Sequence, residues 1–313
     1  MADKTDKNGP SCEEEKSALQ LLSEQYAAPF EAYLTEFSEN PNDAIPPRLT
    51  ESMLYSLRAG GKRLRPALCL AAAERCGIHP EKALPMAMSI EFMHTASLIH
   101  DDLPCMDDDD YRRNSPTNHK VFGECLALLA GDALMIWSLG YSLSRLAHLG
   151  IPNDRVVRAV NILSEAAGPV GMCGGQVLDT DRESQEPEKE FVYRIAGAKT
   201  AALIRAALVS GAMLGDIPDT TLQCYHNYGT HLGLAFQIVD DILDVTATRE
   251  ELGKTPKKDE AQNKMTFVSA YGLDEAKRLA LEESEKAERS LEQLFPEGDL
   301  LMDLARSLAF RGN

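Results

Sequence analysis

Two apolar helical stretches of this chain are interrupted by rows of aspartate, and few folds accommodate that arrangement twice. Residues 90–102 run Ile-Glu-Phe-Met-His-Thr-Ala-Ser-Leu-Ile-His-Asp-Asp and continue as Leu-Pro-Cys-Met-Asp-Asp-Asp-Asp-Tyr-Arg-Arg. In a helix, His94, Ser97 and Asp101 share one face. Pro104 cannot donate the helical hydrogen bond, so the helix ends or distorts there and the chain curls, returning Asp107 towards Asp101 and Asp102. Residues 233–245 run Gly-Leu-Ala-Phe-Gln-Ile-Val-Asp-Asp-Ile-Leu-Asp-Val. The spacing puts Gln237, Asp240, Asp241 and Asp244 along one stripe, with Leu234, Ile238, Ile242 and Val245 on a face suited to a core. Carboxylates on apolar helices need partners. One acidic run alone is more often a solvated surface; two such rows imply a cleft with carboxylates on both walls and cations between them. Oxygen-only donors beside flexible loops suit magnesium, which takes few carboxylates plus waters and substrate phosphates.

The rest of the chain is consistent with that cleft lying inside a helical bundle. Leu19, Leu22, Tyr26, Phe30 and Tyr33 recur at helical steps, and further helices are expected near 49–58, 66–76, 82–102, 123–149, 154–167, 188–214, 222–245 and 273–294. Breaks are expected at Gly77–Pro80, Pro104, Gly150–Pro152, Gly174–Gly175, Asp216–Pro218 and Gly253–Pro256. No alternating strand stands out, and the short connections suit antiparallel neighbours. The expectation is an all-α fold, one large antiparallel bundle with a central cavity over residues 13–313, behind a disordered tail at 1–12.

A net charge of −17, from 49 acidic and 32 basic residues, excludes nucleic acid and anionic lipid as expected partners. It does not exclude a small anion, because basic groups cluster locally. Gly60-Gly61-Lys62-Arg63-Leu64-Arg65-Pro66 places three cations behind a diglycine that lets backbone approach an anion closely. Arg112 and Arg113 follow the first acidic run, Lys199-Thr200 sits in an apolar helix, and Lys254 and Lys264 follow the second. Each has a plain reading as a solvated turn, a neutralising neighbour or a snorkelling side chain; their co-occurrence with paired carboxylates favours an anion site. Seven scattered cysteines without a CxxC pair argue against a disulfide framework or zinc. No signal peptide is visible and no apolar run is expected to span a membrane, so a cytoplasmic location is expected.

At this point the chain resembles the trans-prenyl (polyprenyl) diphosphate synthases of the farnesyl/geranylgeranyl type. The resemblance runs from about Leu49 to the C-terminus and rests on GGKRLRP at 60–66, DDLPCMDDDDYRR at 101–113, GAKTAALI at 197–204, FQIVDDILD at 236–244 and LGKT at 252–255. It implies an isoprenoid-synthase bundle that condenses isopentenyl diphosphate head to tail with dimethylallyl, geranyl or farnesyl diphosphate. It implies magnesium held by Asp101, Asp102, Asp107, Asp240, Asp241 and Asp244, with Arg112, Lys199, Lys254 and Lys264 on the allylic diphosphate. Lys62, Arg65, His94 and Arg113 would hold isopentenyl diphosphate, Thr200 and Gln237 would line the path of the allylic cation, and Lys199, Thr200 and Gln237 would be the catalytic residues. A homodimer is likewise implied. Two departures stand out: Pro256-Lys257 replaces a small residue and glycine, and only Arg311 represents the basic C-terminal tail.

In such proteins product length follows the bulk just before the first aspartate motif. Here those positions are Ala96 and Ser97, both small, and four residues separate Asp102 from Asp107, the longer form of the motif. The expected product is geranylgeranyl diphosphate, with Phe92, Met93 or Trp137 as a deeper floor; farnesyl diphosphate is the alternative. A terpene cyclase or head-to-head synthase would lack GGKRLRP, and a noncatalytic subunit would usually lose one aspartate motif.

Overall fold

The computed structural model describes residues 16–181, 189–247 and 264–311, with side chains to residue 308. The expected tail at 1–12, Lys254, Pro256-Lys257 and the Arg311 side chain lie outside these bounds. The described chain is built almost wholly from helices: α1 Ala18–Leu22, α2 Ala28–Glu39, α3 Pro47–Leu57, α4 Leu64–Arg75, α5 Pro80–Asp101, α6 Asn118–Phe122, α7 Glu124–His148, α8 Asn153–Ala167, α9 Met172–Thr180, α10 Phe191–Ala196, α11 Ala202–Met213, α12 Asp219–Thr246, α13 Phe267–Tyr271, α14 Leu273–Leu291 and α15 Leu300–Arg311. π-turns at Ser23–Ala27 and Gly197–Ala201 join α1 to α2 and α10 to α11. A hairpin of two residues per strand, Tyr111–Arg112 against Ser115–Pro116, is the strand structure among the described residues.

Local chemistry sets the boundaries. Proline occupies the first turn of α3 and α5, where its missing N–H costs nothing. Thr266 and Ser269 cap α13 reciprocally. Helix α11 is buried along its length and packs on α4, α8 and α12. Helix α5 packs on α4 and α7, while α12 packs on α14. Helix α11 also contacts α5, so both aspartate helices meet it. One large core joins α1–α5, α7, α8, α11 and α15; a second, around Ile238, Ile242, Phe267 and Leu279, lies under the C-terminal end of α12.

Three expectations need correction. Gly174–Gly175 does not break the chain but lies inside α9. A Cβ on Gly175 would sit 2.3 Å from the backbone nitrogen of Lys199, so the glycine serves close helix packing rather than a turn. Val245, assigned to the core face, is 37% exposed. Two stretches are long and apolar enough to cross a membrane by length and composition, α7 and the continuous Phe191–Met213, the second mostly buried in the bundle.

Candidate active site

The first aspartate helix ends as Pro104 requires. Helix α5 stops at Asp101, and the chain turns back so that the Asp107 N–H donates to the Asp101 carbonyl at 2.8 Å. Burial raises the Asp101 carboxyl above its usual range; Lys199 and Arg112 pull it down, while Asp107 and Asp102 push it further up. Asp102 is different. It is 3% exposed and takes both ends of the Arg112 guanidinium, with Nε at 2.7 and 2.9 Å and Nη2 at 2.6 Å.

Helix α12 divides its aspartates in the same way. Asp240 is exposed to the cleft. Asp241 is buried and accepts from Gln237 Nε2 and from the Phe267 N–H of α13, both at 2.8 Å. Gln237 in turn accepts from Thr200 Oγ1 at 2.5 Å. Asp244 is also buried. Of the six predicted metal ligands, Asp102 and Asp241 orient protein groups, Asp101, Asp107 and Asp240 face the space between the walls, and Asp244 is buried beneath them.

The cations span that space. Lys199 and Thr200 lie in the Gly197–Ala201 π-turn, a distortion of the kind found at functional sites. Lys199 Nζ reaches Asp179 on α9 at 2.5 Å, and Lys264 Nζ reaches Asp107 at 3.0 Å and Asp179 at 4.0 Å. Asp179 was not singled out from sequence, where it was one acid in a longer acidic stretch. It lies one helical turn after Gly175, whose close packing brings α9 against the π-turn.

A second cationic cluster borders the first. Arg65 Nη1 lies 3.4 Å from His94 Nε2. A guanidinium can only donate, so that ring nitrogen accepts and the proton resides on Nδ1. Burial, then Arg65 and Arg113, hold His94 well below its ordinary value and keep it neutral. Arg65 Nε is buried and meets no acceptor among the described residues. An orphaned guanidinium N–H is costly without a ligand and well suited to a phosphate oxygen. Arg113 donates to the Gly60 carbonyl, and its charge is opposed by burial and supported by Glu91. Lys62 is exposed beside them.

The donor set fits magnesium: carboxylate oxygens from two walls, with repulsion at Asp101 that a cation would relieve. Among the described residues no three acidic, histidine or cysteine side chains are already gathered at metal-holding geometry. Closing such a site would require substrate oxygens as further donors, as is usual for this ion.

Residues 46–296 match the family model described as polyprenyl synthetase. The chain is 41% identical to a chloroplastic geranylgeranyl pyrophosphate synthase of Catharanthus roseus, over 91% of this chain and 82% of that one. It is 42% identical to a farnesyl diphosphate synthase of Bacillus subtilis, over 85% and 90%. Its fold matches a geranyltransferase from Helicobacter pylori, complexed with magnesium and isoprenyl diphosphate, with a TM-score of 0.79 and 32% identity over 94% and 97% of the two chains.

Proposed function

The chain belongs to the polyprenyl synthetase family and is a trans-prenyltransferase that elongates prenyl diphosphates; from that premise we propose that its main product is geranylgeranyl diphosphate. The supporting observation is what lies beneath the first aspartate motif. Ala96 and Ser97 sit about 7 Å below Asp101 along α5, at 1.5 Å per residue. The next bulky side chains on the Ala96 face are Met93 and Phe92, roughly 4.5 and 6 Å deeper. Phe92 packs at 5.4, 5.4 and 5.3 Å from the rings of Phe37, Trp137 and Tyr141, forming an aromatic floor. The added depth is about four residues of helix rise, on the order of one five-carbon unit.

The reaction follows from the two clusters. Lys62, Arg65, His94 and Arg113 hold isopentenyl diphosphate, with Arg65 Nε donating to a phosphate oxygen. Arg112, Lys199 and Lys264, with Lys254 outside the described residues, hold the allylic diphosphate. Magnesium held by Asp101, Asp107 and Asp240, when bound, supplies the Lewis acidity that offsets the leaving diphosphate. Thr200 and Gln237, fixed to one another and to Asp241, line the path of the allylic cation with oxygen dipoles. The apolar walls exclude water that would capture the cation. Orientation of the two substrates accounts for most of what the protein contributes.

The active form we propose is a homodimer joined through α7. Its outer face carries Leu128, Leu129, Ile136 and Leu143, with Ile136 75% exposed. Ile136→Asp should convert dimer to monomer in light scattering; an unchanged mass would remove this face as the interface. The product assay uses labelled isopentenyl diphosphate with each allylic starter, in magnesium and in chelator. Geranylgeranyl product in magnesium, none in chelator, and a shorter product from Ala96→Tyr are expected. Unchanged product length in that variant would overturn the tunnel reading.

A further inference from the structure

Arg63 is the one cation of the GGKRLRP segment that the substrate roles leave unused, and it is the most thoroughly held. Its guanidinium donates from Nε to Glu31 at 2.5 Å, from Nη1 to Glu91 at 2.6 Å and from Nη2 to the Leu57 carbonyl at 2.7 Å. The side chain is 1% exposed and its Cζ lies 5.8 Å from the Phe30 ring centre. Burial works against its charge, but Glu91 and Glu31 more than offset this. No room is left for a ligand.

The backbone explains why a loop would need such an anchor. Arg63 has φ 45° and ψ 34°, left-handed, following Gly60 at +79° and Gly61 at +129°. A side-chain-bearing residue in that region costs about 1–2 kcal/mol unless its surroundings fix it. On the other side of the loop, Arg113 donates to the Gly60 carbonyl, and a Cβ on Gly61 would lie 2.7 Å from its Cζ. Glu91 supports the charge of Arg65 and Arg113 as well as Arg63, so one buried carboxylate serves three guanidiniums.

We propose that Arg63 is a positioning residue for the homoallylic diphosphate: anchored to Glu31, Glu91 and the Leu57 carbonyl, it holds the Gly60–Leu64 loop so that Lys62, Arg65 and Arg113 converge on one anion. This rests on the assignment of that loop to isopentenyl diphosphate. Lysine at 63 keeps the charge but cannot make the three-way fork. Arg63→Lys therefore raises KM for isopentenyl diphosphate about tenfold, with KM for the allylic diphosphate within about twofold and kcat within about threefold. Glu31→Gln acts at the half-exposed edge of the anchor, where folding is not at risk. It raises the same KM about threefold and leaves the other parameters and Tm unchanged; it carries the test should Arg63→Lys not fold.

Lys62→Ala is measured alongside. If it raises KM for isopentenyl diphosphate while the Arg63 and Glu31 variants move neither KM, or move both equally, positioning by Arg63 is wrong and the site assignment stands. If Lys62→Ala leaves that KM untouched, the assignment itself fails and the proposal falls with it.

Discussion

Arg63 and Lys199 are both cations held against carboxylates at the rim of one cleft, yet their surroundings differ in kind. Arg63 is closed in on every side, and its pairs with Glu31 and Glu91 join elements of the same core. Lys199 and Lys264 keep side-chain exposures of 24% and 18%, and their carboxylates come from α9 and the loop after α5. The first set is already complete within the protein. On the proposed function, an entering diphosphate takes the place of the carboxylates in the second, because half-open pairs exchange partners at little desolvation cost. Charge near an active site thus serves shape in one region and chemistry in the other.

Stability measurements on the Arg63 side provide the strongest way to break this contrast. Glu91→Ala leaves a buried guanidinium short of its main partner and should cost about 3–5 kcal/mol, read as a lower denaturant midpoint at unchanged slope. A stability loss under about 1 kcal/mol would place Glu91 with the exchangeable pairs. On the other side, Lys199→Ala should lower kcat by about 100- to 1000-fold with little change in Tm. A matching fall in Tm would make Lys199 a structural cation like Arg63.

Gly175→Ala tests the packing between them. The new Cβ collides with the Lys199 backbone, so α9 must shift and destabilise the fold by about 1–3 kcal/mol. The loss in kcat should exceed that of an alanine placed at exposed Ser164 on α8. The smallest effect concerns His94. Its folded value is depressed, so between that value and its ordinary one the unfolded chain binds a proton that the folded chain refuses. Stability from this source is complete above pH 7 and is lost as pH falls. Wild type should lose Tm between pH 7 and 5 more steeply than His94→Gln, and parallel slopes would show that His94 titrates normally.

Much of this site could be read from residue order because its signals are local. Pro104 announces the end of α5, and the seven-residue spacing from His94 to Asp101 aligns them on one face. The Gln237–Asp241 pairing likewise falls where helical spacing puts it, whereas Lys199-Thr200 sits in a π-turn that the local pattern does not announce. What could not be read depends on partners distant in sequence. Asp102 and Asp241 look identical to their neighbours Asp101 and Asp240 until Arg112 and the Phe267 N–H take hold of them. Gly174–Gly175 reads as a break by local propensity, whereas the approach of α9 to Lys199 decides otherwise. Glu91 did leave a trace, as a lone acid within the apolar run Ile90–Met93, and that kind of signal points to a buried ion pair.

The spacing of the Arg63 anchor along the chain also bears on the order of assembly. Its carboxylate partners lie 32 residues before and 28 residues after it, whereas Lys264 and Asp107 are 157 residues apart. At roughly 5–20 residues per second a ribosome completes the whole anchor about 9–35 seconds before Lys264 exists. Short-range contacts also close faster than long-range ones. A nascent chain can therefore settle the diglycine loop first and use it as a finished wall, against which the C-terminal helices later fold.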